Sequence, residues 1–414
     1  MPHDLFTPLR LPNGATLPNR LAKAAMEENM AAPGQLPGDR ILRLYERWGR
    51  GGAGLLITGN VMVHADALTG PGGIVLDEDA PIEPFERWAA AARHGGCQVW
   101  MQINHPGRQV FADMPGVAWA PSAIRVDIGR QSKRLALPTE MTSDQIRATV
   151  ARFVETARRA ERAGFDGVEV HAAHGYLISQ FLSPLTNRRT DEWGGDLPHR
   201  ARLLTDVVRG IRETVDPSFA VAVKLNSADF QRGGFDASDA RAVIDMLAPL
   251  GVDLVELSGG SYESPAMSGR PADTRTRARE AYFLTLAEEL AATSPLPLML
   301  TGGVVRRPVA EEVLAGGVAV VGMGSALSVD PDLPHRWREG PDAKVELRPV
   351  RIRDKALASA AGMSRVRYQL RRIASDRPTK PRVNPMLAFL RDDFARKRAL
   401  RRYRTWLAGR GDHA

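Results

Sequence analysis

Eight short apolar runs punctuate this chain, and stretches of helical periodicity lie between them. The runs are LAKAAM (21–26), GLLITGN (54–60), CQVWMQINH (97–105), GVEVHAA (167–173), AVAVKLNS (220–227), DLVELSGG (253–260), PLMLTGG (297–303) and VAVVGMG (318–324). Each is short and apolar enough for a parallel strand buried on both faces. Between them, DRILRLYERWGR (39–50) sets Ile41, Leu44, Tyr45 and Trp48 on one helical face. Thr142 followed by Gln145 forms a capping box that opens a helix running through Arg162. LPHRARLLTDVVRGIRETV, DASDARAVIDMLAPL and TRAREAYFLTLAEEL repeat the helical theme. Strand followed by helix, eight times over, predicts an α/β fold of the (β/α)8 TIM barrel type. A doubly wound open sheet is the competing topology, but its Gly-rich first turn is absent.

Three additions surround the predicted barrel. LFTPLRLPNGATLPNRL reads as an N-terminal hairpin with Asn13-Gly14 as its two-residue turn. The loop at 106–141, after the third strand, is rich in Pro, Gly and charge and is predicted to fold over the barrel mouth as a lid or hairpin. Residues 352–374 and 386–407 read as helices crowded with Arg. The division is therefore a barrel at 1–340 and a basic, mostly helical C-terminal extension at 341–414.

The net charge of +8 belongs to that extension. Residues 351–410 hold 18 Lys/Arg and 4 Asp/Glu, which leaves 38 basic and 44 acidic residues in the rest of the chain. A mildly acidic body removes the general argument for nucleic-acid binding. The tail FLRDDFARKRALRRYRTWL still has two readings: a segment for an anionic surface, or a helix packed on the barrel or on a neighbouring subunit. Asp392 and Asp393 interrupt its basic face and favour packing, so no nucleic acid is expected and the extension is a candidate surface for a homo-oligomer. The single cysteine, Cys97, excludes an internal disulfide and a cysteine-ligated iron–sulfur cluster. No run nears the roughly 18 apolar residues needed for a membrane span. The N-terminus lacks the basic-then-apolar pattern of a signal peptide, so a cytoplasmic location is expected.

Barrel chemistry sits at the C-terminal strand ends. Those ends carry Met26-Glu27, Gly59-Asn60, Gln102 with His105, His171 with His174, Lys224 with Asn226, Ser258-Gly259-Gly260, Gly302-Gly303 and Gly322-Met323-Gly324. The glycines after strands seven and eight suit a phosphate, because a backbone without Cβ lets N–H groups approach an anion; tight turns alone are the other reading. His171, His174 and Tyr176 fall where the fourth strand stops. If the chain turns there, two imidazoles can hold an oxygen on which negative charge develops, and a phenol can deliver a proton. Two structural histidines, or a metal completed by Glu27 or His105, are the alternatives, and no metal is assigned.

The run GFDGVEVHAAHGYLISQFLSPLTNRRTDEWGG resembles the signature of the old yellow enzyme family, the FMN-dependent NADH:flavin oxidoreductases and NADH oxidases. NRLAKAAM, LLITGN, MQINHPGR, KLNSADFQRGGF, LTGG and GMGSALSVDPDLP extend the resemblance in order over about residues 4 to 340. It implies one FMN, with NADH or NADPH as hydride donor. The backbone of Ala24, Ala25 and Met26 would lie along the flavin, with Glu27 beside it at a position that tunes its potential. Gly59 and Gln102 would contact the ring, Lys224 would sit near the N1–C2 carbonyl, and Gly302, Gly303 and Gly324 would receive the phosphate. His171 and His174 would bind the activating oxygen of an alkene or nitro substrate, and Tyr176 would be the proton donor. The implied cycle passes a hydride through flavin N5 to an activated alkene. An NAD(P)H oxidase or quinone reductase is the alternative, and a binding protein that has lost tight FMN affinity is the third reading. Three departures stand out. Ser325 replaces the usual phosphate-clamping Arg, which Arg306 or Arg307 would have to replace. Glu27 stands where Thr or Cys is common, and an ionised carboxylate there would disfavour a reduced, anionic flavin. DLPHR alters the pattern after the Gly-Gly pair.

Overall fold

The structure, a computed structural model, describes residues 4–261, 263 and 285–411. Eight parallel strands form a closed barrel: β1 (Leu21–Lys23), β2 (Leu55–Ile57), β3 (Gln98–Asn104), β4 (Gly167–Ala172), β5 (Ala220–Asn226), β6 (Leu254–Ser258), β7 (Leu298–Thr301) and β8 (Val320–Met323). Each pairs with the next in chain order, and β8 pairs with β1 to close the cylinder. The surrounding helices are α1 (Asp39–Gly49), α2 (Glu83–Ala92), α3 (Ser143–Arg162), α4 (Leu177–Leu182), α5 (Leu197–Arg212), α6 (Ala237–Leu247), residues 285–291, α7 (Arg307–Ala315) and α8 (Ser325–Val329). Three more follow: α9 (Leu333–Glu339), α10 (Lys355–Ile373) and α11 (Pro385–Gly411). The predicted capping box is present at the start of α3, with Thr142 and Gln145 bonded reciprocally.

Alternation along each strand sorts the apolar residues into two layers. Ala22, Leu55, Ile57, Trp100, Ala220, Ala222, Leu254, Met299 and Val320 fill the barrel interior. Leu21, Leu56, Val99, Val168, Val221, Val255 and Leu300 face outward and pack with helix residues such as Leu44, Phe153 and Leu204. The N-terminal hairpin, Leu9–Arg10 against Thr16–Leu17, adds Leu11 and Leu17 to the interior cluster and so plugs the N-terminal end. Its connection is longer than the expected two-residue turn. Leu11 N–H bonds Ala15 O, and the Asn13 N–H is taken by Asp253 (3.0 Å), so the loop is anchored to the barrel floor.

The loop at 106–141 is more than a simple hairpin, since Phe111 bridges Leu135 in antiparallel fashion but a second pairing runs the other way. Its short strands, Trp119–Ala120 and Thr139–Glu140, pair in parallel, which requires the intervening chain to cross back through the 3-10 turn Gly129–Arg134. The SYESPAMSGR segment after β6 lies outside the described residues apart from Ser261 and Glu263, as does the first part of the TRAREAYFLTLAEEL helix.

The extension packs on the barrel. Leu400 and Tyr403 of α11 join Met62, Ala65, Leu68 and Val110 in one apolar cluster, and Tyr403 donates to Ala65 O at 2.9 Å. Its arginines meet carboxylates of the acidic body: Arg396 pairs with Asp113 (2.5 Å), and Arg410 with Asp77 (2.9 Å) and Asp79 (2.5 Å). Between α10 and α11, buried Asp392 accepts from Ser364 (3.0 Å), Arg367 (2.9 Å) and Arg371 (2.5 Å). Asp392→Ala leaves two guanidiniums and a hydroxyl without their common acceptor. A loss of about 2–4 kcal/mol is expected, read as a lowered urea midpoint.

Candidate active site

The inner-facing residues at the C-terminal ends of β3 to β6 are polar: Gln102 and Asn104, Glu169 and His171, Lys224 and Asn226, Glu256 and Ser258. All are buried. Parallel register sets Glu169 beside Gln102, His171 beside Lys224, and Lys224 beside Glu256, so these charges form one belt across neighbouring strands.

Lys224 Nζ is paired with Glu256, and Gln102 donates to Glu169 Oε2 at 2.6 Å. Burial works to raise Glu256, but the Lys224 ammonium and hydrogen bonds from its neighbours outweigh it and hold the carboxylate below its usual range. Glu169 goes the other way. Burial, then the negative charge and hydrogen bond of Glu256, push it well above the carboxylate range. Glu169 Oε1 and Glu256 Oε2 have no N–H partner, and a proton on Glu169 shared with Glu256 satisfies both.

The end of β4 explains the clustered rings. His174 adopts φ 63° and Gly175 φ 73°. A Cβ on Gly175 would stand 3.0 Å from Gln109 Oε1 and from Ser261 Cβ, so a glycine is needed there. This turn is pinned by His174 N–H donating to Asn226 Oδ1 (3.1 Å) and Gln109 Nε2 donating to His174 O (2.9 Å). It folds His174 back beside His171, with ring centroids 4.8 Å apart, while Tyr176 stands 4.8 Å from His171 and 6.5 Å from His174. Burial first, and nearby positive charge next, hold both imidazoles well below their ordinary range, so both are neutral. Ala173 N–H donates to His171 Nδ1 (3.2 Å), which leaves the neutral ring's proton on Nε2 as a donor. The His174 Nε2 lies 2.9 Å from Ser258 Oγ.

At the β1–β8 seam, Ala24 N–H bonds Met323 O, and the chain then emerges from buried Ala24 to partly open Ala25, Met26 and Glu27. Gly324 adjoins Met26, and a Cβ there would lie 3.5 Å from Met26 Cγ. Gly302, Gly303 and Ser325 are exposed on the same rim, with β7 and β8 paired beneath them. The Gly59 N–H is bonded to Glu28 (3.0 Å) and Tyr45 (2.8 Å). Arg307 is bonded to Glu311 (2.7 Å) and Trp337 O (2.6 Å), and Arg306 is exposed. Among the described residues His105 does not join a metal set with the other histidines. It accepts from Gly107 N–H, and Glu27 is bonded to Thr69 and to Arg367 of the extension (3.3 Å). Cys97 is buried just before β3, and burial pushes its thiol up to about 11.

Four contributors were not assigned from the sequence. Asn104 is fully buried, and neither atom of its side-chain amide has a partner among the described residues. Its strand parity with Gln102 could have flagged it, as parity with His171 and Lys224 could have flagged Glu169 and Glu256. Arg367 had no local signal, because it comes from a helix 340 positions away from Glu27.

His105 supplies a pH test beside this site. Burial, then the charge of His64, push it down to about 3. The unfolded chain takes up a proton near the ordinary value of about 6.5, whereas the folded chain does not until about 3, so stability falls as pH drops through that window. His105→Gln should flatten the decline of the urea midpoint between about pH 6.5 and 4, where the slope from one group approaches about 1.4 kcal/mol per unit.

Residues 4–343 match the model of the NADH:flavin oxidoreductase / NADH oxidase family. The chain is 38% identical over 349 residues to the "NADH-dependent flavin oxidoreductase iliE" of Hypocrea jecorina (strain QM6a), covering 79% of this chain and 87% of that protein. The solved structure of an old yellow enzyme homologue from Zymomonas mobilis matches with TM-score 0.70 and 26% identity, over 84% of this chain and 95% of that one. A 2-naphthoyl-CoA reductase matches with TM-score 0.73 and 27% identity over 82% of this chain, which spans only 53% of that reductase. The site fits FMN: exposed glycine amides at the β7–β8 rim suit a phosphate, and the unpartnered Asn104 amide suits a polar ring edge. The chain belongs to the old yellow enzyme family and is an FMN-dependent oxidoreductase that draws its hydride from NADH or NADPH.

Proposed function

We propose that the physiological acceptor is an activated alkene, an enone or nitroalkene, reduced at the His171, His174 and Tyr176 cluster. The observation that carries this reading is the convergence of two neutral imidazoles and a phenol within one ring-contact distance of each other. When bound, FMN supplies the two-electron chemistry between NAD(P)H and the acceptor.

In this reading the His171 Nε2–H, and His174 beside it, hold the carbonyl or nitro oxygen, where negative charge grows as the alkene is reduced. A neutral donor suits this task because it stabilises the developing charge without surrendering its proton. Tyr176 then protonates the α carbon. The belt beneath keeps these rings in place: Asn226 pins the His174 backbone and Ser258 bonds its ring. Ala24, Ala25, Met26, Gln102, Lys224, Gly302, Gly303, Gly324 and Ser325 are the proposed cofactor contacts, with Asn104 added. Glu27 is the residue whose charge bears on the cofactor's potential, and Arg367 offsets it. In this reading the extension, 341–414, contributes Arg367 to the wall of the site. The second reading, an NAD(P)H oxidase or quinone reductase, is favoured by the family description, which includes NADH oxidases.

The test is the visible spectrum under anaerobic conditions. Flavin bands that bleach with NADH or NADPH and return with a cyclic enone support the alkene reading; return only with oxygen or a quinone supports the second. Tyr176→Phe should slow reoxidation by the enone about 10²–10⁴-fold while leaving bleaching unchanged. Arg367→Met should make the flavin midpoint potential more negative by tens of millivolts, about 30 mV corresponding to about 1.4 kcal/mol for two electrons, and adding Glu27→Gln should restore it.

A further inference from the structure

Two hollows lie between α1 and α11, lined by none of the residues proposed to hold FMN. One hollow of about 430 Å3 is lined by Arg40, Phe394, Ala395, Arg398, Arg401 and Arg402. An adjoining hollow of about 310 Å3 shares Arg40, Ala395 and Arg402 and adds Arg43, Arg371 and one carboxylate, Asp39. Six guanidiniums therefore border one connected space.

Most of this charge is uncompensated. Arg371 pairs with Asp392, and Arg43 stands 3.7 Å from exposed Asp376. Arg40, Arg398, Arg401 and Arg402 have no carboxylate within ion-pair distance among the described residues. The acidic groups nearby are engaged elsewhere: Asp39 with Arg87, Asp392 with Arg367 and Arg371, and Asp393 with Lys397. Partial burial, then the guanidiniums of Arg371, Arg43 and Arg402, push Arg40 below its ordinary range, an independent sign that these cations crowd one another. This contrasts with the outer end of α11, where Arg396 and Arg410 meet body carboxylates. Phe394 stands at the same hollow with 63% of its surface exposed. Phe394, Arg398, Arg401 and Arg402 share one face of α11 at helical spacing.

We propose that this cavity is a binding site for a nucleotide bearing at least two phosphates, with the phosphates held by Arg40, Arg398, Arg401 and Arg402 and the base stacked on Phe394. Guanidinium forks match phosphate oxygens two at a time, and an exposed aromatic face beside them accepts a planar base. A concave space of this size suits a small molecule better than a flat macromolecular face. The site is distinct from the FMN site and stands whether or not the alkene reading holds. The same chemistry occurs in the diphosphate half of NAD(P)H and in a free nucleotide, and the experiment separates the two sources.

The test is calorimetric titration of the FMN-loaded protein with ADP and with inorganic pyrophosphate at low and moderate salt, for the wild type and for Arg398→Ala/Arg402→Ala. Saturable, salt-sensitive binding of ADP, weakened at least about 10-fold in the double variant with an unchanged flavin spectrum and melting temperature, is expected. Phe394→Ala should weaken ADP and leave pyrophosphate unchanged. If the source is the hydride donor, ADP competes with NAD(P)H and the double variant raises its KM without lowering kcat. If it is a separate nucleotide, KM is unchanged and ADP does not compete. Absence of ADP binding at low salt, equal binding in the double variant, or binding only to phosphatidylserine vesicles would overturn the proposal.

Discussion

One buried ammonium organises the site. Lys224 projects into the barrel between Glu256 on β6 and His171 on β4, and is buried there. Its charge keeps Glu256 ionised despite burial, and ionised Glu256 in turn forces the proton onto Glu169. The same charge helps keep His171 and His174 neutral. Burial is the larger cause at Glu169, His171 and His174, and the Lys224 charge decides Glu256 and adds to the effect on the two histidines, because electrostatic influence is strong where the dielectric is low and the groups are held on adjacent strands. A closed parallel barrel is what makes this possible. It brings every second residue of neighbouring strands into one enclosed layer, with the hairpin sealing the opposite end.

The extension shows how a charge imbalance becomes structure. Its basic residues do not form a free arm. Arg396, Arg404 and Arg410 bond to Asp113, Asp77 and Asp79 on loops around the barrel mouth, and Tyr403 buries its ring among loop residues. Through Asp392 the two helices lock Arg367 into position, and Arg367 reaches Glu27. A carboxylate that looked unfavourable beside a flavin in the linear sequence has a cation supplied to it from the far end of the chain. Where α11 passes α1 the balance is not met, and four arginines are left facing a cavity.

The barrel was legible because its signals are local and repeated. Eight apolar runs fell within three residues of eight strands, with β1 and β2 three residues shorter at their C-terminal ends than their runs. The capping box at Thr142, a contact between residues three apart, was equally readable. The length of the hairpin turn and the parallel pairing within the loop after β3 were not legible, for the opposite reason. Asn13 is held by Asp253, and the loop's strands pair in parallel after a crossing, and neither has a local signature.

By itself the sequence determined the alternation of strands and helices, the placement of His171, His174 and Tyr176 at a strand end, the glycines at the last two strand ends, and the segregation of basic charge into the tail. These depend on residue type at short spacing. Tertiary structure decided the rest. The left-handed turn at His174 aims its ring, Lys224 is spent on Glu256 and Gly59 on Glu28, Asn104 is left unpartnered among the described residues, and Arg367 meets Glu27. Each of these contacts joins segments distant in the chain or sets a direction for a side chain. Such contacts depend on which strands and helices become neighbours once the barrel closes, and spacing along the chain does not encode that.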